Sequence, residues 1–290
     1  MITKYYKAKC GNFGDDINGY LWKEIFGDEM SSDPGVYFFG IGTMLFESYY
    51  FGDIPRGAKC IIFGSGVRGL RQQIPQSINF EWRFLRGKLS ANFVGCKRYI
   101  SDAAYCLPFS PVPLFDKEND EKIYDISIVP HFSSMDRVNW ELFEEKTGIK
   151  VISPESNGNP KDVIRMIYKS KFVIAESLHA AIVADIYRIP WIRLSFLSKK
   201  YEARGVSDFK WNDWASSVAI NKIPTITINN NMLVKLFFVD SVKFNTICLL
   251  RCIKSLYKYN DFIHSDDVIY TQIINKIGDE IDCLKNDYFK

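Results

Sequence analysis

Short apolar runs that alternate with helix-patterned segments constrain the fold of this 290-residue chain more than any other feature. In the first half, "KYYKA" predicts a strand, and Ile17, Leu21 and Ile25 of the following segment lie at helical spacing. The apolar runs "VYFFGIG" and "CIIFGSG" then each end at a Gly-x-Gly turn, at residues 40–42 and 64–66. This order predicts a parallel sheet whose functional residues lie at its carboxyl edge.

A second alternating series follows residues 107–122, where three prolines and a charged run predict a linker. Its strand patterns are "YDISIVPH", "IKVISP", "FVIAES" and "IPWIRLSF", and helical patterns separate them. Two such series predict an α/β fold with two Rossmann-like domains facing a cleft. The expected boundaries are residues 1–116 and 121–227 for these domains and 228–290 for a helical C-terminal extension.

Composition and charge exclude several classes of protein. The net charge of +3 is too small to indicate a nucleic acid as the main partner. Seven cysteines without paired spacing, and no secretory leader pattern, predict free thiols and a cytoplasmic location. No apolar run approaches the roughly 18 residues of a membrane span.

The stretch 231–258 is rich in apolar residues and also carries five basic ones. We expect it to pack as a helix pair, because apolar helical faces are usually buried. The alternative is a basic amphipathic surface that makes a peripheral contact with anionic lipid at the inner face of a membrane. The basic residues are Lys235, Lys243, Arg251, Lys254 and Lys258.

The chain has only three histidines, and two of them follow predicted strands. His131 ends "SIVPH", and His179 begins an apolar helix directly after "FVIAES". A lone histidine at a helix start is usually a structural residue, but two at equivalent strand ends favour a functional role for His179. His264 lies in the polar stretch "FIHSDD" and is predicted to be a surface residue.

The segment "FEWRFLRGKLSANF" concentrates positive charge around a glycine. Arg83 is predicted to lie on a solvated helix face. Arg86 adjoins Gly87 and precedes Ser90 by four residues, and we expect it to bind an anion, since a guanidinium suits bidentate binding of phosphate or carboxylate.

Several catalytic motifs are missing from the sequence. It has no HExxH, no paired Cys/His spacing, no GxSxG elbow and no P-loop lysine, and neither glycine turn completes GxGxxG. Asp15 and Asp16 alone make too poor a ligand set for a metal ion. We therefore expect neither a metal nor a resident cofactor.

Seven segments in a fixed order resemble the polysaccharide pyruvyl transferase family. They are "GNFGDDIN", "GIGTML", "FGSGVRG", "LRGKLS", "SDAAY", "VIAESLHAAIVADIYRIPWI" and "DFKWNDWASS", and they cover roughly residues 1–215. The chain departs from the family pattern at Lys88, where the family's block has proline after the glycine.

The resemblance implies a GT-B-like, metal-independent transferase with phosphoenolpyruvate as co-substrate. Residues 1–116 would form the acceptor side and 121–227 the donor side. The product would be a pyruvate ketal across two hydroxyls of a sugar, in a surface polysaccharide or its lipid-linked precursor. Such a reaction needs a general acid for the methylene carbon, a base for the sugar hydroxyls and cations for the donor.

The same resemblance implies the roles of individual residues. His179 would be the general acid, Asp15 would orient or deprotonate the acceptor hydroxyl, and Arg86 would bind the donor phosphate or carboxylate. Asp15 is expected to point into the cleft and Asp16 towards solvent or the helix start, with Asn12 capping that helix. The remaining substrate-binding candidates are Asn12, Gly14, Gly42, Gly66, Ser90, Ser177 and His131.

Two other functions fit parts of the sequence. A GT-B nucleotide-sugar glycosyltransferase would share the fold, and Glu176 is then the nearest candidate to hold a donor ribose. A non-catalytic scaffold at a membrane surface would account for the tail and the altered arginine block. The sequence leaves the acceptor sugar open, and also whether that acceptor is lipid-linked.

Overall fold

The computed structural model divides into two compact units, and each unit is assembled from separate stretches of chain. The first unit comprises Met1–Leu114, Asp208–Asn221 and Ser265–Lys290, and the second comprises Phe115–Ser207 and Lys222–His264. The predicted domains, in contrast, are continuous in sequence. The structure describes residues 1–31, 35–45, 51–69, 73–115, 121–198, 202, 205–228, 241–253 and 257–289.

The first unit contains a four-stranded parallel sheet with its strands in sequence order. Its two central strands are buried and almost wholly apolar, as expected for a parallel sheet covered on both faces. The predicted parallel sheet is therefore confirmed. The strands are β1 (Ile2–Lys4), β2 (Val36–Phe39), β3 (Lys59–Phe63) and β4 (Asn79–Phe84).

Short helices in the first unit pack aromatic side chains against this sheet. Trp22 contacts Phe38 and Phe63 edge-on, with ring centroids 5.0 and 6.0 Å away. Such edge-to-face pairs add to the stabilisation from burial. The helices are α1 (Phe13–Asp16), α2 (Leu21–Phe26) and α3 (Lys88–Phe93), followed by a 3-10 helix at Ala103–Phe109.

The second unit contains a five-stranded parallel sheet in the order β6-β5-β7-β8-β9. Numbered within the unit, this order is 2-1-3-4-5, which is a doubly wound arrangement. The order in which successive strands are added reverses between the first and third strands, β5 and β7. The strands are β5 (Tyr124–Val129), β6 (Lys150–Val151), β7 (Ser170–Ala175), β8 (Trp191–Ser195) and β9 (Thr225–Thr227). Its helices are α4 (Trp140–Thr147), α5 (Pro160–Tyr168) and α6 (Leu178–Ile186).

Three further helices complete the described part of the chain. They are α7 (Val206–Ser217), α8 (Ser241–Cys252) and α9 (Asp267–Tyr288). Leu249 of α8 is buried in the core of the second unit. In contrast, α9 belongs to the first unit, where it buries Ile273, Ile277, Ile281 and Leu284 at helical spacing.

The C-terminal end of α9 forms an ion pair and a hydrogen bond with the edge strand β4. Arg83 contacts Glu81 and Asp287, each at 2.5 Å, and Tyr288 donates a hydrogen bond to Glu81. The prediction that Arg83 lies on a solvated helix face is therefore wrong, because it lies in a strand and its side chain is 12% exposed.

Parts of the predicted basic apolar stretch, residues 231–240 and 254–256, lie outside the described residues. Within the described ranges, no helix is both long and apolar enough to cross a membrane. The GT-B-like arrangement, the domain boundaries and the peripheral membrane contact stay predictions.

Two glycines of the first unit test how closely its elements pack. Gly64 follows β3 with a φ of +85°, and a Cβ added there would lie 2.6 Å from the backbone nitrogen of Ala103. Gly57 has a similar φ of +80° but no atom within 4 Å of the added Cβ. Both Gly→Ala changes carry the left-handed backbone cost of about 1–2 kcal/mol.

We expect Gly64→Ala to destabilise the protein more than Gly57→Ala, by at least about 1 kcal/mol, because only Gly64 also meets backbone atoms that cannot rotate away. Urea unfolding followed by tryptophan fluorescence measures both variants. Equal losses would contradict the close approach of the turn after β3 to the 3-10 helix.

Candidate functional site

The buried Asn18 joins the loop after β2 to the first helices. Its Oδ1 accepts hydrogen bonds from the backbone N–H of Ile41 and the indole of Trp22, both at 2.9 Å. Its Nδ2 donates to the carbonyls of Asp15 and Ile41. All four hydrogen-bonding positions of the amide are thus used, which fixes the backbone of the residue before Gly42. Sequence reasoning missed Asn18, although a polar residue between Ile17 and Leu21 could have indicated it.

Asp15 lies in α1 beside the same loop. Asn12 Nδ2 donates to its Oδ2 at 2.6 Å, and a Cβ on Gly42 would lie 3.0 Å from its Oδ1. Burial raises the pKa of the Asp15 carboxyl from 3.8 to about 7, while the positive charge of Lys210 opposes that rise. Asp15 thus has the proton affinity of a group that exchanges protons near neutral pH.

The two neighbours of Asp15 have local roles. Asp16 accepts a hydrogen bond from the backbone N–H of Asn12 at 2.8 Å, so it faces the helix start, one of the two predicted positions. Asn12 occupies the N-cap position, but its side chain makes no capping hydrogen bond. That part of the prediction is wrong, because the Asp15 carboxylate is the partner of the Asn12 amide. Gly14 is buried within α1.

Arg86 and Ser90 both contact Asp213 in the interior of the first unit. Arg86 Nε donates to Asp213 Oδ2 at 3.0 Å, and both side chains are at most 1% exposed. Ser90 donates to the same carboxylate through its backbone N–H at 2.8 Å and its hydroxyl at 2.6 Å. Two of the resembling segments, "LRGKLS" and "DFKWNDWASS", therefore meet at one carboxylate.

The rest of the Arg86 guanidinium also contacts protein atoms. Nη1 donates to the Thr43 hydroxyl at 2.8 Å, and Nη2 lies 3.5 Å from the Val67 carbonyl. A Cβ on Gly66 would lie 2.3 Å from Arg86 Cζ, so the absence of a side chain there admits the guanidinium. Whether Arg86 also binds substrate stays a prediction, and its contacts are those of a residue that holds loops in place.

Two further charged residues of the first unit were not singled out from the sequence. Lys210 lies one helical turn before Asp213 on α7, half-buried, and its charge acts on Asp15. Asp102 is buried and accepts a hydrogen bond from the N–H of Ala104 at 2.9 Å. Burial raises the pKa of Asp102 to about 6, which the charge of Arg86 partly offsets.

In the second unit, His131 and His179 follow the two strands between which the strand order reverses. His131 comes after β5 and His179 is the second residue of α6, which follows β7. In open α/β sheets, ligands bind at the carboxyl ends of the strands at this reversal point. Ser177 is the N-cap residue of α6, and its N–H donates to the Val129 carbonyl at the end of β5.

Glu176 links the loops at this edge and is almost fully buried. Its Oε2 accepts from the backbone N–H of His131 at 3.0 Å, and its Oε1 accepts from that of Ser198 at 2.8 Å. Burial raises the pKa of Glu176, which these backbone hydrogen bonds partly offset. These contacts are those of a residue that supports the loops, and a donor ribose would have to displace them.

Each ring nitrogen of His131 lies near a polar side chain. Its Nδ1 lies 2.7 Å from the Ser133 hydroxyl, and its Nε2 lies 3.6 Å from a carboxylate oxygen of Glu202. Sequence reasoning named neither partner. His264, predicted at the surface, is half-buried and its Nδ1 accepts a hydrogen bond from Arg188 at 2.7 Å.

The structure thus groups the predicted residues within each unit. Asn12, Asp15 and Gly42 lie together, and so do Gly66, Arg86 and Ser90. In the second unit, Ser177 bonds the carbonyl at the end of β5, and His131 bonds the Glu176 carboxylate. In the described part of the chain, no group of three or more His, Cys, Asp or Glu side chains is placed to hold a metal ion.

Each of the two units has a parallel sheet with polar residues at its carboxyl edge, which is where ligands bind in open α/β sheets. The sequence model of the polysaccharide pyruvyl transferase family matches residues 12–197. The chain therefore belongs to that family, and the resemblance inferred from its motifs is confirmed. Membership makes it a transferase.

Two individual proteins are similar to the chain. Succinoglycan biosynthesis protein ExoV of Rhizobium meliloti (strain 1021) is 31% identical over 225 residues, which cover 77% of this chain and 67% of that protein. A functionally uncharacterized protein of Klebsiella pneumoniae subsp. pneumoniae NTUH-K2044, of known crystal structure, is 16% identical. Its alignment covers 79% of this chain and 92% of that one, with a TM-score of 0.45.

The buried ion pair predicts a large loss of stability on removal of one partner. Asp213→Ala leaves the Arg86 charge buried without its carboxylate and should lower the free energy of unfolding by about 3–5 kcal/mol. Asp28→Ala breaks the exposed Lys23–Asp28 pair of the same unit and should leave the urea midpoint unchanged. A small effect of Asp213→Ala would contradict the structural role assigned to Arg86.

The raised pKa of Asp15 predicts a pH-dependent stability. The folded protein retains the Asp15 proton up to about pH 7, whereas the unfolded chain loses it near pH 4, so this stabilisation is lost as pH rises through 7. Asp15→Asn removes the titration. Its unfolding free energy should therefore rise relative to wild type between pH 4 and 8, on the order of a few kcal/mol.

Asp53→Asn provides a control of opposite sign. The hydrogen bond from Lys4 lowers the pKa of Asp53, so its carboxylate stabilises the folded state above pH 4. The variant should therefore lose stability relative to wild type as pH rises from 3 to 5. Urea titrations across the pH range measure both variants. A flat difference for Asp15→Asn would contradict the burial of its carboxyl.

Proposed function

We propose that this protein is a pyruvyltransferase of polysaccharide biosynthesis that takes phosphoenolpyruvate as donor and forms a pyruvate ketal across two hydroxyls of a sugar. Membership of the polysaccharide pyruvyl transferase family supports the transferase chemistry. The single observation that carries the assignment of roles is the raised pKa of the Asp15 carboxyl. This group is an acid with a pKa of about 7, held at the carboxyl edge of the first sheet.

Asp15 acts as the base for an acceptor hydroxyl. A carboxyl that titrates near neutral pH can take the hydroxyl proton and release it in each turnover. Asn12 holds one carboxylate oxygen, and the missing side chain of Gly42 leaves room beside the other. Asn12 and Gly42 therefore serve substrate by positioning this carboxylate.

His179 supplies the proton that the donor methylene needs. It lies half-buried in the first turn of α6, after a strand at the reversal point of the second sheet. The donor carbon that bears the phosphate becomes electrophilic when the methylene is protonated, so an acid is required there. Ser177 begins the same helix and provides a polar group at its N-terminus.

Arg86 acts through other residues in this proposal. Its contacts with Asp213, Thr43 and Val67 hold the loops after β2 and β3, and Ser90 and Gly66 complete that packing. The charge of Lys210 acts on Asp15, and we assign this lysine to bind the anionic donor. The GT-B-like arrangement and the cytoplasmic location complete the proposal.

The experiment measures phosphate release from phosphoenolpyruvate with a panel of synthetic and membrane-extracted glycan acceptors. His179→Ala and Asp15→Ala should each lower turnover by at least about a hundredfold, the usual contribution of a general acid or base. His264→Ala, with its ring bound to Arg188, is the matched histidine control and should keep turnover within about twofold.

Two outcomes would overturn the proposal. Equal behaviour of all three variants would place the site elsewhere. No release with any acceptor, combined with thermal stabilisation by nucleotide sugars and none by phosphoenolpyruvate, would identify a nucleotide-sugar glycosyltransferase instead.

A further inference from the structure

Ser133, His131 and Glu202 form a side-chain cluster at the carboxyl end of β5 in the second unit. Their role rests on the proposed function, because it concerns a proton that ketal formation must move. An enol phosphate and two sugar hydroxyls give one ketal and one inorganic phosphate. Of the two hydroxyl protons, one ends in the new methyl group and the other leaves with phosphate. A ketal therefore needs two deprotonations, and Asp15 accounts for one.

The hydrogen bonds of His131 fix which ring nitrogen carries the proton. The backbone N–H of Ser133 can only donate, and it lies 3.3 Å from His131 Nδ1. Nδ1 must therefore be the acceptor, so the Ser133 hydroxyl, 2.7 Å away, also donates to it. The proton of the neutral ring then lies on Nε2, which faces Glu202 at 3.6 Å.

The buried carboxylate of Glu176 supports the cluster through backbone hydrogen bonds. One of its oxygens holds the N–H of His131 and the other holds that of Ser198. The Ser198 carbonyl in turn accepts from the N–H of Glu202 at 2.9 Å. The same carboxylate therefore sets the positions of both the imidazole and the glutamate. The side chains of His131 and Glu202 are largely buried, with 11% and 14% exposed.

This order of groups is that of an activated hydroxyl. A hydroxyl within hydrogen-bond reach of an imidazole, with a carboxylate close to the other ring nitrogen, is the arrangement that makes a serine oxygen reactive in proton transfer. Ser133 is only partly buried, so its oxygen has a lone pair that can accept from a substrate hydroxyl. A hydrogen bond that only begins the local 3-10 helix would require the backbone N–H alone.

We propose that Ser133, His131 and Glu202 form a proton relay for the second acceptor hydroxyl. The substrate O–H gives its proton to Ser133 Oγ, which passes its own to His131 Nδ1, and the Glu202 carboxylate stabilises the resulting imidazolium. The electron pair of the broken O–H bond forms the new C–O bond to the ketal carbon. The C–O bond to phosphate breaks with its pair on phosphate, which takes the proton back from the relay. Ser133 is thus a catalytic residue and Glu202 a positioning residue.

The kinetic test uses the full chain, phosphoenolpyruvate and an acceptor that wild type accepts. Ser133→Ala should lower kcat by at least about a hundredfold with little change in KM, whereas Ser133→Thr, which keeps the hydroxyl, should retain most of it. Glu202→Gln should lower kcat by about tenfold or more. Ser153→Ala and Glu145→Gln are matched controls expected to match wild type. Ser153 accepts a local backbone hydrogen bond from Glu155, and Glu145 is exposed.

The second test does not depend on activity. The chain has three histidines, so the ¹⁵N resonances of labelled protein can be assigned by single replacements. His131 should carry its proton on Nε2 in wild type, and the Nδ1–H form would overturn the relay. If Ser133→Ala turns over as fast as wild type, the relay is overturned and the proposed function stands. A wild type that releases no phosphate with any acceptor would overturn both.

Discussion

The buried contact between Asp213 and the pair Arg86 and Ser90 is the interaction on which the first unit depends. It joins a segment near residue 213 to one near residue 88, which are more than a hundred positions apart in the chain. A buried carboxylate is stable only when charge and hydrogen bonds compensate for its lost hydration, and here it accepts three hydrogen bonds. The segment that carries Lys210 therefore returns to this unit.

Close backbone packing turns that contact into a positioned site. Gly66 admits the Arg86 guanidinium, and Gly87 lies so close to the Asp213 carbonyl that an added Cβ would be 1.8 Å away. Asn18 fixes the neighbouring loop from the other side. Asp15 lies beside the Gly42 turn of this loop, and its burial, more than any single partner, gives it a pKa near neutrality.

The second unit reaches a similar result by topology. Its strand order reverses between β5 and β7, and the residues that follow these strands meet at one edge. The apolar strand patterns predicted both strands, and with them the places of His131 and His179. They could not predict Ser133 or Glu202 as partners, because those contacts depend on the path of the loops and on the buried Glu176 that connects them.

The sequence by itself determined the α/β class, the parallel sheets, the family and the positions of Asp15, His131 and His179 along the chain. Apolar periodicity and glycine turns are local properties, and a family pattern is an order of such segments. Only the tertiary structure decided that Arg86 is bound to Asp213, that α9 joins the first unit and that Asn12 serves Asp15. These outcomes arise because a buried charge takes whichever partner the folded chain brings to it, at any separation in sequence.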